Sequence, residues 1–332
     1  MPAASERSLL ETIISIISLP VSFFLSRYLV GYLKKKGLTV PDAHKAGLPQ
    51  VARPGGPAIF AASIAGAIAV YAISNSLQVV AFLLVISAAF IVGMIDDLKS
   101  LSGPLKVALL FIAPIPILAL HTYTPLPPFP FSGHLRLTDI YPLLVLIAIP
   151  ITANAFNMID IYNGLVSGFS VIAMIPLILD FALTQQYVVL ALSLVLTLSI
   201  LGFYPFHRFP SKIFPGDSGT LAIGAAYGAL AIIGHAEIVA IVSLLPSVLN
   251  SFFVISSVGG FIEHKEMKKR PVRLRDDMKL EASRDKDAPV TLARMILADR
   301  PLTESELAKR ILLLEAFSSL LAIVTLFLIL VT

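Results

Sequence analysis

Cysteine is absent from the 332 residues of this chain. Its absence excludes disulfide bonds, thiolate chemistry and zinc sites built from cysteine and histidine pairs. Charged residues are scarce as well, because they make up 14% of the chain whereas hydrophobic residues make up 57%. A soluble domain of this composition would leave much apolar surface in water. The mean hydropathy of +0.87 therefore indicates an integral membrane protein.

The chain also lacks internal repeats, low-complexity tracts and a recognisable soluble domain. We therefore predict a single multi-span membrane domain over residues 1–332. The net charge is +4, and the basic residues flank apolar segments, where they orient the chain and meet anionic headgroups. This placement indicates the lipid bilayer as a partner and argues against nucleic acid.

Apolar segments long enough to cross a bilayer recur about ten times. We predict an all-α membrane protein of about ten transmembrane helices. The predicted spans are 8–32, 57–74, 77–95, 104–121, 138–154, 165–182, 187–205, 219–234, 237–258 and 308–331.

Nearly all Lys and Arg residues fall in alternate loops. The three lysines at 34–36 follow the first span and place its C-terminal end in the cytosol, with the N-terminus outside. The loops on the cytosolic side also carry the polar motifs, so we expect the active site to be formed by them. These loops are 33–56, 96–103, 155–164, 206–218 and the long basic loop 259–307.

Two adjacent carboxylates, Asp96 and Asp97, end a span that is otherwise uncharged. Ionisable groups at a membrane boundary are costly and indicate function, and acidic groups at a helix C-terminus oppose its dipole. Lys106 begins the next span. It could extend to the headgroups, but a short loop would fold it back beside the two carboxylates.

A polar ridge is predicted where another span ends. Asn154, Asn157, Asp160 and Asn163 are spaced three residues apart, so they share one face of a helix, and Gly164 follows, where a ligand could approach the backbone closely. Amides in apolar helices often only bond a neighbouring helix. Four polar side chains in register favour a functional site over a single contact between helices.

Asp217 lies in the glycine-containing stretch 214–219, where a new helix is predicted to begin. Such an aspartate can act simply as an N-cap. As a magnesium ligand it would need further oxygens, and Asn157 and Asp160 are candidates. The last basic loop contains Lys268, Arg270 and Arg273. Their positive charge is explained mainly by membrane topology or lipid binding, although one or two of them could hold a phosphate.

These motifs, in this order across ten spans, resemble the polyprenyl-phosphate N-acetylhexosamine-1-phosphate transferases. The Arg-Pro-Gly-Gly stretch at 53–56 is similar to the first cytosolic loop of that family. The last loop has only His264 where bacterial cell-wall members carry several histidines, and its basic run resembles archaeal and eukaryotic dolichyl-phosphate enzymes. Asp160 matches the bacterial motif. An archaeal enzyme in the cell membrane reconciles these features, whereas a eukaryotic one would lie in the endoplasmic reticulum.

The resemblance implies transfer of N-acetylhexosamine-1-phosphate, most simply N-acetylglucosamine-1-phosphate, from a UDP-sugar to a polyprenyl or dolichyl phosphate. Mg²⁺, or Mn²⁺, would be held by Asn157 and Asp217. Asp96 and Asp97 would face the lipid phosphate, one of them accepting its proton, and Asp160 would assist the metal. The remaining candidates would bind substrate or neutralise its phosphates: Lys106, Asn154, Asn163 near the uracil, Gly164, Lys268, Arg270 and Arg273.

Other readings remain open from the residues alone. Polar ridges in a helix bundle also line transport paths, so a polytopic transporter is the main alternative. The Gly-Asp pair at 216–217 also resembles an intramembrane aspartyl protease motif, but that chemistry needs a partner aspartate within a span. A homodimer is allowed and is not indicated by any motif.

Overall fold

A computed structural model describes residues 2–45, 47–259 and 269–331. In this part of the chain nearly all regular structure is helical. The helices are α1 (Pro2–Ile14), α2 (Ser18–Lys35), α3 (Gly56–Ser74), α4 (Leu77–Lys99), α5 (Gly103–Leu110), α6 (Ile115–Ala119), α7 (Tyr141–Ile159), α8 (Leu165–Leu183), α9 (Tyr187–His207), α10 (Gly216–Ile233), α11 (Glu237–Ser243), α12 (Leu245–Val258), α13 (Leu292–Ile296) and α14 (Glu304–Val331), with a 3-10 turn at Ser15–Ile17.

Six short strands form three antiparallel pairs in the connecting loops. They are β1 (Thr39–Pro41) with β2 (Gln50–Ala52), β3 (Pro128–Phe129) with β4 (Gly133–His134), and β5 (Val272–Leu274) with β6 (Leu280–Ala282). The first pair is connected to the loop before α10, because the backbone of Ala52 forms hydrogen bonds with that loop.

Eight helical segments in the described residues are long and apolar enough to cross a membrane. They are Leu9–Lys35, Gly56–Ser74, Leu77–Lys99, Tyr141–Ile159, Leu165–Leu183, Tyr187–His207, Gly216–Ile233 and Glu304–Val331. The all-α polytopic fold is thus confirmed. Each of these segments overlaps one of the ten spans expected from the sequence.

The other two expected spans are each divided into two shorter helices, and neither is among these eight segments. Residues 104–121 fall on α5 and α6, and residues 237–258 fall on α11 and α12, which meet at a bend of 67°. Proline explains both breaks, because it lacks the N–H of the helical hydrogen bond and clashes with the preceding turn. Pro116 lies at the start of α6 and Pro246 at the start of α12.

The broken segments still connect the two ends of the bundle. Near the start of α5, Lys106 lies 2.9 Å from Asp96 at the end of α4. At the start of α7, the hydroxyl of Tyr141 donates to Glu237, which follows the far end of α10. The chain from α5 to α7 therefore passes from one end of the bundle to the other. We call the end that contains Asp96 the acidic end.

Helix α10 forms the centre of the bundle, and 94% of its span is buried. It packs against α4 and α7. The contact with α4 is close because Gly93 has no side chain: a Cβ there would lie 2.4 Å from the carbonyl oxygen of Asp217. The first turn of α10 is thereby held against the end of α4, inside the bundle at its acidic end.

The bias of Lys and Arg predicts that the acidic end faces the cytosol. Ser102 lies at this end and Ser132 at the opposite end, and both are exposed. In intact cells, the variant Ser102→Cys should resist a membrane-impermeant thiol reagent, whereas Ser132→Cys should react. The chain has no other cysteine, so each variant reports one position. Permeabilised cells are the control, in which both should react. The reverse pattern in intact cells would invert the topology.

Candidate active site

Four carboxylates converge at the acidic end. Asp96 and Asp97 lie at the end of α4, Asp160 follows the last residue of α7, and Asp217 lies in the first turn of α10. We call these four residues the acidic cluster. Helix packing brings them together from three separate stretches of the sequence.

Two cations lie between these carboxylates. Lys106 Nζ is 2.9 Å from Asp96 Oδ2 and 3.3 Å from Asp217 Oδ2. On the other side, Arg53 Nη2 is 3.0 Å from Asp97 Oδ1 and 3.5 Å from Asp217 Oδ1. Asp217 therefore contacts both cations. The structure thus places Lys106 beside Asp96, where the short loop was expected to fold it.

Asp97 caps helix α10. Its Oδ1 accepts the backbone N–H of Asp217 at 3.0 Å and its Oδ2 accepts that of Ser218 at 2.9 Å. The first N–H groups of a helix have no partner within it, and a carboxylate at this position also favours the helix dipole. The cap on α10 therefore comes from α4 and not from Asp217, which the sequence allowed as an N-cap.

The acidic cluster is buried on one side and open on the other. The side chains of Asp96 and Asp97 are only 3% and 1% exposed. Protein groups therefore surround both carboxylates, and their role toward a lipid phosphate stays a prediction. Asp217 and Asp160 are 20% and 17% exposed, and Arg53 is 34% exposed. A ligand approaching the cluster would meet these three side chains first.

Negative charge exceeds positive charge in this group. Among the described residues, these carboxylates form ion pairs with two cations, Arg53 and Lys106. Burial raises the pKa of Asp160 to about 7, and the nearby Asp217 and Asp97 carboxylates add to this effect while Arg53 opposes it. Burial alone would lower the pKa of Arg53, but the Asp97 and Asp217 carboxylates outweigh it and raise that pKa. The site therefore favours an additional cation.

The polar ridge is only partly formed. Helix α7 ends at Ile159, so Asn163 lies beyond the helix, which corrects the prediction of four residues on one helical face. Asn157 does reach the acidic cluster, because its Nδ2 donates to Asp217 Oδ1 at 2.9 Å. Asn154 instead donates to the carbonyl of Pro150 within its own helix at 2.9 Å. No described contact joins Asn154 to the cluster.

Asn163 is the centre of a separate hydrogen-bond network. It is 5% exposed, and its Oδ1 accepts from Lys45 Nζ at 2.9 Å and from the Ser211 backbone at 2.6 Å. Its Nδ2 donates to Asp42 at 3.1 Å and to Glu304 at 2.6 Å. A direct contact with uracil would require this network to open. Its role near the nucleotide stays a prediction.

Gly164 is needed for the chain itself. It has a φ of +76°, and a Cβ at this position would lie 3.0 Å from the Cα of Arg208. Glycine adopts this conformation without strain and leaves room for the neighbouring backbone. The loop after α9 thus approaches Gly164 closely, and the approach of a ligand to this position stays a prediction.

In the described part of the last basic loop, the candidate arginines form no hydrogen bond or ion pair with the acidic cluster. Arg270 and Arg273 are exposed, and Arg273 lies in the hairpin formed by β5 and β6. Among the described residues, no hydrogen bond or ion pair joins either arginine to the acidic cluster. Lys268 lies outside the described residues. Phosphate binding by these three side chains stays a prediction.

Similarity to other proteins extends along most of the chain. A Methanocaldococcus jannaschii protein described as a glycosyltransferase is 30% identical over 312 residues, which cover 91% of this chain and 94% of that protein. The profile of the family named Glycosyl transferase family 4 matches residues 79–235. The chain belongs to glycosyl transferase family 4.

Two further relatives have more specific descriptions. A Sulfolobus acidocaldarius protein described as a UDP-N-acetylglucosamine–dolichyl-phosphate N-acetylglucosaminephosphotransferase is 30% identical over 265 residues, covering 76% of this chain and 80% of that protein. A Bacillus subtilis protein described as an undecaprenyl-phosphate N-acetylglucosaminyl 1-phosphate transferase is 30% identical over 230 residues, covering 68% and 63%.

Family membership confirms the resemblance on which the function was expected, and it gives no support to a transporter. The matched region, 79–235, contains the acidic cluster together with Lys106 and Asn157. It begins after the first loop and so does not include Arg53. The protein is a multi-pass membrane transferase whose candidate active site lies where the family match and the buried charges coincide.

Arg53 and Thr220 are the site residues that the sequence did not single out. Arg53 appeared only as part of the first-loop motif, yet it is the one arginine in that loop, directly before the Pro-Gly-Gly turn that starts α3. That position could have drawn attention to it. Thr220 accepts from Asn157 Nδ2 at 2.8 Å and gives no signal in sequence.

Replacing Asp97 by asparagine should destabilise the protein. The amide nitrogen cannot accept the N–H of Ser218, so one of the two hydrogen bonds that cap α10 is lost. Loss of such a buried bond lowers the free energy of unfolding by about 1–3 kcal/mol. Thermal unfolding of the purified protein in detergent should show a lower Tm. Asp139→Asn is the matched control, because Asp139 is exposed at the opposite end. An unchanged Tm for Asp97→Asn would contradict the capping role.

Proposed function

We propose that this family member transfers N-acetylglucosamine-1-phosphate from UDP-N-acetylglucosamine to a polyprenyl phosphate of the dolichyl type. An oxygen of the lipid phosphate forms a bond to the β-phosphorus. The bond between that phosphorus and the bridging oxygen breaks, and UMP leaves with the electron pair. The product is a sugar on a lipid pyrophosphate. The descriptions of the Sulfolobus and Bacillus relatives support this choice of sugar and acceptor.

The observation that carries the proposal is the excess of carboxylates over cations in a site that opens at Asp217, Asp160 and Arg53. A pyrophosphate is itself strongly anionic, so the acidic cluster alone would repel it. A divalent cation held by the cluster would supply the positive charge that removes this conflict. Phosphoryl transfer depends mainly on such positioning and charge neutralisation, and it requires little covalent help from the protein.

Asn157 and Asp217 fit a magnesium ion. Magnesium prefers oxygen ligands, and these side chains offer an amide and a carboxylate within 2.9 Å of each other. Nδ2 of Asn157 faces Asp217 in this structure, so its amide must turn to present Oδ1 to an ion. Bound Mg²⁺ would supply positive charge to the pyrophosphate oxygens. Asp160 lies close enough to interact electrostatically with Asp217. Its carboxylate would add negative charge beside the bound ion.

The two cations then have different tasks. Lys106 is 7% exposed and holds Asp96 and Asp217 in place, so it orients the metal ligand and balances its charge. Arg53 is more exposed and lies at the opening of the cluster. Its guanidinium can contact an arriving phosphate with parallel hydrogen bonds while it remains close to Asp97.

A requirement for a divalent cation is expected for turnover. Incubating membranes with UDP-N-acetylglucosamine and a polyprenyl phosphate should yield lipid-linked product and UMP, EDTA should abolish both, and Mg²⁺ or Mn²⁺ should restore them. Asp217→Asn should lower kcat on the order of 100-fold or more, because the lost ligand charge stabilises the transition state. Asp139→Asn should retain activity. Full turnover in EDTA would refute the metal assignment.

Arg53 should contribute to binding of the phosphates. Arg53→Ala should lower kcat/KM for the UDP-sugar on the order of 10- to 100-fold, and Arg53→Lys should recover part of this loss because it restores the charge but not the planar fork. Arg136→Ala, at the opposite end of the bundle, is the control and should behave as wild type. Steady-state kinetics of UMP release measures both. Equal kcat/KM values for Arg53→Ala and wild type would exclude a phosphate contact.

A further inference from the structure

A second group of potential metal ligands lies outside the acidic cluster. One carboxylate oxygen of Asp42, one of Glu304 and an imidazole nitrogen of His44 all lie within 4.8 Å of one another. Asp42 and Glu304 are buried, and His44 is half-buried. Asp42 and His44 come from the first loop, whereas Glu304 is the first residue of α14, so the group joins distant parts of the chain.

One oxygen in this group has no partner. Glu304 is 5% exposed; its Oε1 accepts from the backbone of Asn163 at 2.9 Å and from its side chain at 2.6 Å. Its Oε2 is buried and forms no hydrogen bond with any described residue. A buried carboxylate oxygen without a partner costs free energy unless a donor or a cation satisfies it. Oε2 is therefore available to a metal ion.

The charges around the group leave room for a cation. The Asp42 carboxylate accepts hydrogen bonds from the Lys45 ammonium and from the Asn163 amide. Lys45 is the nearby cation, and its Nζ lies 2.7 Å from Asp42 Oδ2 and 2.9 Å from Asn163 Oδ1. No hydrogen bond or ion pair of the described residues joins Lys45 to Glu304. In the described part of the chain, the ion pair of Lys45 is thus with Asp42, and Glu304 has no ion pair.

His44 is held in position by an aromatic neighbour. Its ring centroid lies 4.9 Å from that of Tyr162, which is 2% exposed. The Tyr162 hydroxyl is also buried and lacks a hydrogen-bond partner among the described residues. The interior beside His44 therefore contains two polar oxygens, Glu304 Oε2 and Tyr162 Oη, that nothing in the described chain satisfies.

We propose that Asp42, His44 and Glu304 bind a divalent transition-metal ion of the zinc type, at a site distinct from the magnesium site of Asn157 and Asp217. An imidazole nitrogen with two carboxylate oxygens is a donor set typical of zinc, whereas magnesium prefers oxygen alone. A small contraction of the group would bring the three atoms to bonding distance of one ion.

The ion would fasten the first loop to the start of α14. Asn163 lies between these segments and bonds to Asp42 and Glu304, so the same ion would stabilise the network around Asn163. The role is one of positioning, since no hydrogen bond or ion pair between described residues joins these three side chains to the acidic cluster. The proposal does not depend on which sugar or lipid the enzyme uses.

The test measures zinc binding directly. The full chain is purified in detergent, stripped with a chelator, dialysed against Zn²⁺ and measured by elemental analysis and calorimetry. His44→Ala and Glu304→Gln should each weaken the site at least 100-fold. Glutamine keeps the Oε1 acceptor for Asn163 and replaces only the unpaired oxygen, so Glu304→Gln should remain folded. Zinc should raise the Tm of the wild type but not that of these two variants.

Three controls make the result specific. His134→Ala removes an exposed histidine, Glu306→Gln changes an exposed glutamate two residues after Glu304, and Asp217→Asn alters the acidic cluster. All three should bind zinc as the wild type does. Absence of zinc binding in the wild type, or equal binding in His44→Ala and Glu304→Gln, would overturn the proposal. If Asp217→Asn binds zinc but lacks turnover, zinc binding at this site is independent of the transferase reaction.

Discussion

The bond between the Asp97 carboxylate and the first N–H groups of α10 is the constraint on which the rest of the site depends. It joins the end of α4 to the start of the most buried helix and places Asp217 at the bundle interior. Without it, that helix would begin with unsatisfied donors in an apolar setting, which is costly where water is scarce. Packing at Gly93 and the ion pair with Arg53 stabilise the same junction.

The four carboxylates consequently divide into two kinds. Asp96 and Asp97 are enclosed by protein donors, whereas Asp217 and Asp160 keep an exposed edge. Such a division suits phosphoryl transfer. The enclosed pair fixes the geometry in advance, so little reorganisation is required when a charged substrate arrives, and the exposed pair remains able to interact with a cation.

The network around Asn163 differs from the acidic cluster because most of its members lie in loops and not in helices. It connects the first loop, the loop after α9 and the start of α14 through a single buried amide. Loops that form an active site normally move more than the helices they connect. Here hydrogen bonds, and in our proposal a metal ion, tie three of them together.

The apolar segments and the alternating positions of Lys and Arg were sufficient to determine the fold class, because a bilayer demands runs of about 20 apolar residues and charge sets their orientation. The same sequence placed Lys106 beside Asp96, since a short loop leaves few alternatives. It could not reveal the bend before Pro246 or the capping of α10 by Asp97. Arg53, Glu304 and Asp42 were likewise assigned no role, because their partners lie far away along the chain. Only tertiary packing brings such groups within hydrogen-bonding distance, and only their burial decides which charges need a partner.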